Sequence, residues 1–214
     1  MSHMDLLRRF LRTQDERGRQ TSDWFRLIVR RSVRKMVGNE EGPILDAGGG
    51  DGLLFDPCVS SLADKTTILD NDDNTLQIAQ RHYKGGGTFV HGDITSMSFH
   101  DGMFHLSVCI GTFYNFPSQE LVQKGLKELA RVTKKGGRII VEFRNGDSPI
   151  VRYAYHSADR YDTSLCHLPL KPYSLKQIQD MVVKSHMRII KIKKIGFLCN
   201  PLIFSYIIEA THMD

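Results

Sequence analysis

The chain has 214 residues, of which 41% are hydrophobic and 25% charged, a composition typical of a folded protein and not of a disordered one. At about 150 residues per domain, this length predicts one domain with an appendage, and no apolar run reaches the roughly 18 residues of a transmembrane helix. The net charge of +5 is compatible with an anionic substrate, RNA or a membrane surface, and it selects none of them.

The N-terminus and the cysteines indicate where the protein is found. Residues 1–3 look like a cloning scar, so we expect the natural start at Met4, and the basic start lacks the apolar stretch of a signal peptide. The four cysteines are far apart and have no CxxC spacing, which argues against a zinc site and against a disulfide framework. We therefore expect reduced thiols, a cytoplasmic location and no metal.

Residues 5–37 have the pattern of a basic helical segment, and we assign residues 1–42 to an N-terminal helical extension. In its second half, apolar residues recur at helical spacing and basic residues fall on the opposite face. The apolar set is Phe25, Ile28, Val29, Val33 and Met36, and the basic set is Arg26, Arg30, Arg31, Arg34 and Lys35. Two interpretations stay open: a helix packed on the domain with its charges in water, or a lid and anion-binding surface.

From residue 43 onward, short apolar strands alternate with helices, and we assign residues 43–214 to one α/β domain. Alternation of this kind predicts βαβ units around a mainly parallel sheet. The predicted strands are residues 44–47, 66–69, 88–91, 104–110 and 138–143, and the predicted helices are residues 76–83 and 118–135.

The C-terminal part has a different pattern. Ser174 and Gln177 form a capping box, which predicts a helix that ends near Met187. Two apolar segments then follow in direct succession, residues 189–197 and 202–210. Two strands with so short a connection predict an antiparallel pair at the edge of the sheet.

A glycine-rich turn, residues 48–52, follows the first strand. Glycines at such a turn let the backbone approach a ligand closely. Leu53 stands where the dinucleotide fingerprint G-x-G-x-x-G requires a small residue, and the Gly-Lys-Ser/Thr of a P-loop is absent. The turn therefore predicts a nucleoside-like ligand without a diphosphate.

Acidic residues follow the next two strands. Asp70 ends the second strand, where a carboxylate can accept hydrogen bonds from both ribose hydroxyls. Asp93 follows the third strand and can accept from an adenine amino group, while Ile94 packs on the ring. In open α/β sheets, ligands bind at the carboxyl ends of the strands, so these residues and the glycine turn predict one site.

Four ordered motifs resemble those of the class I S-adenosylmethionine-dependent methyltransferases, in particular their small-molecule branch. They are residues 44–52, Asp70, residues 92–94 and residues 128–138. The resemblance implies a Rossmann-like three-layer sandwich with a seven-stranded, mainly parallel sheet of order 3-2-1-4-5-7-6 and an antiparallel strand 7. It also implies S-adenosylmethionine as cofactor, S-adenosylhomocysteine as product, and a first helix that Pro57 would delay or kink.

The resemblance assigns the cofactor site residue by residue. The glycines would line the methionine and ribose portions, Asp46 would organise the turn, and residues 109–112 would flank the sulfonium. The expected cofactor-binding residues are Asp46, Gly48, Gly49, Gly50, Gly52, Asp70, Asn71, Asp93, Ile94, Cys109 and Ile110.

The family places acceptor-binding groups after strands four and five and in the N-terminal helices. Residues 145–172 are too long for a simple connection, so we expect a substrate lid there, against the alternative of a helical cover whose tyrosines pack on the sheet. His156 is the candidate general base. The expected substrate contacts are Trp24, Tyr114, Arg144, Tyr153 and Tyr155.

Three functions remain open. The first is methyl transfer to a small-molecule acceptor. The second is RNA methylation, which the basic N-terminal segment favours, although residues 110–117 lack the Asn/Asp-Pro-Pro-aromatic motif of base-amine methylation and no RNA-binding module is visible. The third is a catalytically silent cofactor-binding partner protein, because fold alone does not fix a reaction.

Overall fold

Seven strands form one sheet in the order β3-β2-β1-β4-β5-β7-β6. The computed structural model describes residues 23–57, 60–157, 168–196 and 202–213, with side chains from Phe25 onward. Strands β1 to β5 are parallel, and β7 is antiparallel to both β5 and β6, which confirms the predicted topology. The strands are β1 (Ile44–Ala47), β2 (Thr66–Asp70), β3 (Thr88–His91), β4 (Phe104–Cys109), β5 (Thr133–Arg144), β6 (Met187–Gly196) and β7 (Ile203–His212).

Helices cover both faces of this sheet, and serine side chains begin three of them. Ser118, Ser148 and Ser174 each accept a hydrogen bond from a backbone N–H of the first turn, and Ser174 completes the predicted capping box with Gln177. The helices are α1 (Asp23–Val37), α2 (Asp73–Tyr83), α3 (Gln119–Val132), α4 (Pro149–His156) and α5 (Leu175–Val183). Short 3₁₀ turns lie at Ala63–Lys65 and Phe113–Asn115.

The core consists of two apolar clusters, one on each face of the sheet. Helices α3 and α5 contribute Leu126 and Met181 to one cluster, and α1 and α2 contribute Val33 and Leu76 to the other. Successive strand residues point to opposite faces of the sheet. Because helices cover both faces, the parallel strands carry apolar residues on both sides. The structure is thus the expected three-layer sandwich.

Helix α1 packs in the second cluster with its whole apolar face. Val33 is fully buried. Of the two interpretations left open, a basic face in water does not describe two arginines: Arg30 forms an ion pair with Asp51 at 3.2 Å, and Arg34 donates to the carbonyl of Leu54 at 3.2 Å. Both partners belong to the loop after β1, so α1 is tied to that loop by polar bonds as well as by its apolar face.

The first helix implied by the resemblance is absent from the described residues between β1 and β2. Residues 48–57 form turns. The Ser60 N–H donates to the Asp56 carbonyl at 3.0 Å, across Pro57, and a 3₁₀ turn then precedes β2. Pro57 has no N–H to donate, and three glycines with positive φ precede it, so this stretch disfavours a helix.

Some element boundaries differ from the predictions. Helix α3 ends at Val132, three residues before the predicted end, and β5 begins at Thr133. Gly136 and Gly137 therefore do not terminate the helix; they lie within an irregular start of the strand. Helix α5 ends at Val183, before His186 adopts a left-handed backbone conformation with φ 57°.

Several expectations lie outside the described residues: the scar at residues 1–3 and the remainder of the segment up to residue 22, Cys58, Cys166 and Cys199, and residues 158–167 of the predicted lid. In the part of the chain that the structure describes, no helix is both long and apolar enough to cross a bilayer. The same ranges contain no cluster of three or more His, Cys, Asp or Glu side chains suited to a metal ion.

Candidate functional site

A cavity of about 560 Å³ lies at the carboxyl ends of the five parallel strands. Residues that follow β3, β2, β1, β4 and β5 line it, and α1 covers it with Phe25, Arg26, Val29 and Arg30. At the usual strand spacing, the end of β3 lies about 19 Å from the end of β5. The volume is in the range of small-molecule sites, and the cavity lies where open α/β sheets bind their ligands.

The glycine turn forms the floor of the cavity. Gly48 has φ +68°, and a Cβ there would lie 2.2 Å from Oγ1 of Thr112. The N–H groups of Gly48 and Gly49 donate to the carbonyl of Leu69 at 2.7 and 3.2 Å, which joins the turn to the end of β2. A Cβ on Gly50 would contact nothing closer than 3.6 Å, so this position faces open space for a ligand.

Two expected cofactor residues do not reach the cavity. Gly52 faces α2, where a Cβ would lie 2.9 Å from Tyr83 and 3.0 Å from Ala79. Cys109 is fully buried in the core, where burial raises the pKa of its thiol well above the ordinary range. Both residues were expected in contact with the cofactor; in the structure, Gly52 packs closely against α2, and Cys109 lies in the core.

The acidic residues after β2 and β3 meet at one end of the cavity, as predicted. Asp70 accepts the Gly50 N–H through Oδ2 at 2.9 Å and the Asp72 N–H through Oδ1 at 3.1 Å. These bonds fix the carboxylate and leave lone pairs for a ligand. Burial raises the pKa of Asp70. Asn71, Asp93 and Ile94 line the same end of the cavity.

Asp46 lies beneath the glycine turn and lines the cavity. Its side chain is buried, and Oδ2 has no hydrogen-bond partner. Burial raises the pKa of Asp46 to about 7, although the positive charge of Arg30 opposes this shift. A buried carboxylate oxygen without a partner is costly unless a ligand donates to it. Asp46 also packs closely under the turn in which it was expected to act, since a Cβ on Gly49 would lie 2.8 Å from Cγ of Asp46.

At the other end of the cavity, Arg144 lies among aromatic rings and a buried carboxylate. The guanidinium carbon is 4.3 Å from the ring centre of Phe25 and 5.1 Å from that of Tyr114. Nε of Arg144 is 3.5 Å from Oε1 of Glu142. Burial alone would lower the pKa of Arg144, but Glu142 together with Tyr155 and Tyr114 raises it above the ordinary value. The guanidinium therefore stays charged.

Glu142 and Phe25 are site residues that the sequence analysis missed. Glu142 is 1% exposed and accepts hydrogen bonds from the Gly111 N–H at 3.1 Å and from the hydroxyl of Ser205. The available signal was a single charged residue inside the apolar run of β5. Phe25 offered no such signal, because its helical spacing is that of any core residue.

Of the remaining residues expected to contact the acceptor, some lie at the cavity and others lie away from it. Tyr114 lines the cavity, and Tyr155 packs against it with ring centres 5.8 Å apart. Tyr153 is 52% exposed on α4, and His156 is exposed at the end of that helix, so neither lines the cavity. Trp24 lies in α1, but its side chain is outside the described part of the structure. Ile110 lines the cavity directly after β4.

Residues 44–137 match the methyltransferase domain family. This domain, whose match spans less than half of the chain, is that of the class I S-adenosylmethionine-dependent methyltransferases. This confirms the recognised family and, with it, S-adenosylmethionine as the family's cofactor. The methyltransferase fold explains why the cavity, the glycine turn and the acidic residues occur together at one edge of the sheet.

Curated relatives with the same domain include a demethylmenaquinone methyltransferase of Clavibacter sepedonicus, which is 33% identical over 136 residues. The match covers 61% of this chain and 52% of the relative, so the chain spans about half the length of the curated relatives it matches. A demethylmenaquinone methyltransferase of Paenarthrobacter aurescens is 30% identical over 139 residues, covering 64% of this chain and 51% of that protein.

Solved structures show the same methyltransferase fold. Magnesium protoporphyrin IX methyltransferase from Synechocystis, with bound SAH, superposes with a TM-score of 0.67 at 16% identity over 88% of this chain and 84% of that chain. Geranyl diphosphate C-methyltransferase from Streptomyces coelicolor gives 0.67 at 11% identity over 88% and 79%. These two proteins are named for unrelated acceptors, so the fold does not identify the acceptor of this chain.

Proposed function

We propose that this protein transfers a methyl group from S-adenosylmethionine to a small-molecule acceptor. The observation that carries the proposal is the continuity of one cavity, with nucleoside-binding carboxylates after β2 and β3 and an aromatic, cationic pocket after β4 and β5. A cofactor and an acceptor can thus lie end to end, which methyl transfer requires.

The described residues fit the cofactor at three points. Asp70 offers its remaining lone pairs to the ribose hydroxyls, and Asp93 offers an acceptor to the adenine amino group. Asp46 has the unpartnered Oδ2 to which the α-ammonium of the methionine portion would donate. Gly48, Gly50 and Thr112 leave the path between these acids open to the backbone of a ligand.

The bound cofactor supplies a methyl group on a good leaving group, so the protein's own contribution is orientation and exclusion of water. The glycine turn fixes one side of the reacting geometry, and the loop 110–117 fixes the other. Helix α1 covers the cavity through Phe25 and Val29, and this cover keeps bulk water from the reacting atoms.

A small-molecule acceptor is supported by the size of the cavity and by the names of the curated relatives, which act on demethylmenaquinone. We propose the domain organisation expected from the sequence, with residues 43–214 as the cofactor-binding domain, residues 1–42 as an extension and residues 145–172 as a lid over the acceptor. The cytoplasmic location stays a prediction from the cysteine spacing.

Calorimetric titration with S-adenosylmethionine, S-adenosylhomocysteine and NAD tests the proposal. We expect the two sulfur nucleosides to bind and NAD not to bind. An acceptor screen then follows, with S-adenosylhomocysteine formation as the readout. Binding of NAD alone would exclude the proposed cofactor, and turnover on RNA with none on small molecules would exclude the proposed acceptor class.

A further inference from the structure

We propose that Arg144 binds the ionised oxygen of a planar acceptor, a phenolate or enolate, and that this acceptor reacts as an anion. This inference rests on the proposed function, because it concerns the acceptor end of the same cavity. It names the chemical class of the acceptor and the residue that selects it.

The position of Arg144 suits it to this role. It ends β5, at the opposite end of the cavity from Asp70 and Asp93, so the nucleoside does not need it. Its side chain is only 16% exposed, and it lines the cavity. A guanidinium held in such a place offers several N–H donors in a fixed planar arrangement that matches an oxyanion.

The surroundings of Arg144 fix the guanidinium without saturating it. The Tyr114 ring centre lies 5.1 Å from the guanidinium carbon, the Tyr155 ring packs on that of Tyr114, and Glu142 faces Nε at 3.5 Å. Nε itself is buried and has no hydrogen-bond partner. Glu142 is also committed elsewhere, since it accepts from the Gly111 N–H and from Ser205, so the guanidinium shares its counter-ion and retains attraction for a second anion.

The aromatic surroundings favour a planar acceptor. Phe25 and Tyr114 contact the guanidinium, and Tyr114 and Phe116 both line the cavity. Rings of this kind pack well on a flat, apolar ligand body while the guanidinium takes its charged oxygen. Burial of the charge in a cavity of low dielectric strengthens that attraction.

The described lining offers no free base for the acceptor. None of these lining residues is a histidine, lysine or cysteine. Glu142 is the carboxylate at the acceptor end, and its oxygens are already engaged by Gly111, Ser205 and Arg144. His156, the base candidate from the sequence, is exposed on α4 outside the cavity. Among the described residues, the positive charge of Arg144 is the feature that promotes loss of the acceptor's proton, because it lowers the pKa of the acceptor.

The reaction balances on this assignment. The acceptor loses its proton to solvent on binding beside Arg144. The resulting anion donates an electron pair, from its oxygen or from a carbon conjugated with it, to the methyl carbon. The carbon–sulfur bond breaks, and its electron pair stays on sulfur. One anion and one sulfonium thus become a neutral methylated product and a neutral thioether.

The test uses 4-nitrophenol as a probe, because its phenolate absorbs visible light and its neutral form does not. The protein is first saturated with S-adenosylhomocysteine, and the probe is then titrated over pH. We expect the bound probe to ionise at a lower pH than in buffer, and we expect Arg144→Gln to weaken phenolate binding by about tenfold or more. Nitrobenzene, which carries no ionisable oxygen, should bind both proteins equally.

Matched variants separate charge from folding. Arg144→Gln leaves Glu142 buried without its partner, so a Glu142→Gln/Arg144→Gln double variant removes both charges together. Arg188→Gln changes an exposed arginine of β6 that does not line the cavity, and it should leave probe binding unchanged. Equal phenolate affinity of the wild type and both Arg144 variants, or no phenolate binding by the loaded wild type, would overturn the inference. Failure of the wild type to bind S-adenosylhomocysteine would instead refute the proposed function.

Discussion

Asp70 occupies the position at which a single carboxylate holds both the glycine turn and, on our proposal, the ribose. We expect Asp70→Ala to remove the bonds to the ribose hydroxyls and to the Gly50 N–H. The loss of such bonds weakens S-adenosylhomocysteine binding by about 1–3 kcal/mol, or roughly 5- to 150-fold. Calorimetry on the folded variant measures this. Asp180→Ala, at an exposed position of α5, is the control and should bind like the wild type. Unchanged affinity in Asp70→Ala would mean that the site is misplaced.

Asp46 links stability to pH. Its pKa is raised from 3.8 to about 7 by burial, so the folded protein holds a proton that the unfolded chain loses between these values. The free energy of unfolding therefore falls as pH rises through this window, by at most about 4 kcal/mol for this group. Asp46→Asn cannot ionise and escapes that loss.

Urea denaturation of the ligand-free protein at pH 5 and pH 8 checks this expectation. The stability of Asp46→Asn relative to the wild type should be larger at pH 8 than at pH 5 by about 2–4 kcal/mol. Asp70 titrates in both proteins with a pKa raised in the same direction, so its contribution cancels in the comparison. The same difference at both pH values would show that Asp46 is ionised throughout.

At the scale of elements, substitutions in helix α1 test whether this helix packs in the core. Val33 is fully buried against the sheet, whereas Leu27 on the same helix is 58% exposed. We expect Val33→Ala to lower the free energy of unfolding by about 2 kcal/mol, through lost burial and the cavity left behind. Leu27→Ala removes more carbon atoms but should change stability by less than about 0.5 kcal/mol. Similar effects of both substitutions in urea denaturation would mean that α1 does not pack as described.

The elements also show how far the sequence determines the fold. The strands β1 to β4 and the capping box of α5 follow from local patterns, namely apolar runs, turn residues and a serine–glutamine pair, and they were predicted within a few residues. The irregular start of β5 was missed, because Gly136 and Gly137 resemble a helix stop locally and become part of a strand only through pairing with β4. Such tertiary context overrides local preference.

The candidate site also has a part that the sequence predicts and a part that depends on tertiary packing. Asp70 and Asp93 follow strands that the sequence defines, so their meeting at one edge of the sheet was predictable. The contact between Phe25 and Arg144 joins residues more than a hundred positions apart, and it depends on how α1 docks. Gly52 and Cys109 are adjacent in sequence to residues that line the cavity. That they face the core is visible only in the three-dimensional path of the backbone.

For the whole molecule, ligand binding should be visible as thermal stabilisation. A ligand that binds the folded state at 100 times its Kd adds about 2.7 kcal/mol of stability. For a chain of this size, each kcal/mol shifts Tm by about 2–4 °C, so we expect S-adenosylhomocysteine to raise Tm by about 5–11 °C. NAD at equal concentration should leave Tm unchanged. Equal shifts with S-adenosylhomocysteine and NAD would contradict a site built for a nucleoside without a diphosphate.

The position of β7 has a consequence for how the molecule is made. This strand is the last of the described elements in sequence, yet it lies inside the sheet, between β5 and β6, with Ile203 to Ala210 buried. A nascent chain leaves the ribosome N-terminal end first. Until β7 emerges, β5 presents an unpaired and apolar edge, with Ile139, Ile140 and Val141 at its centre. An edge of that kind invites pairing with other chains until β7 inserts beside it.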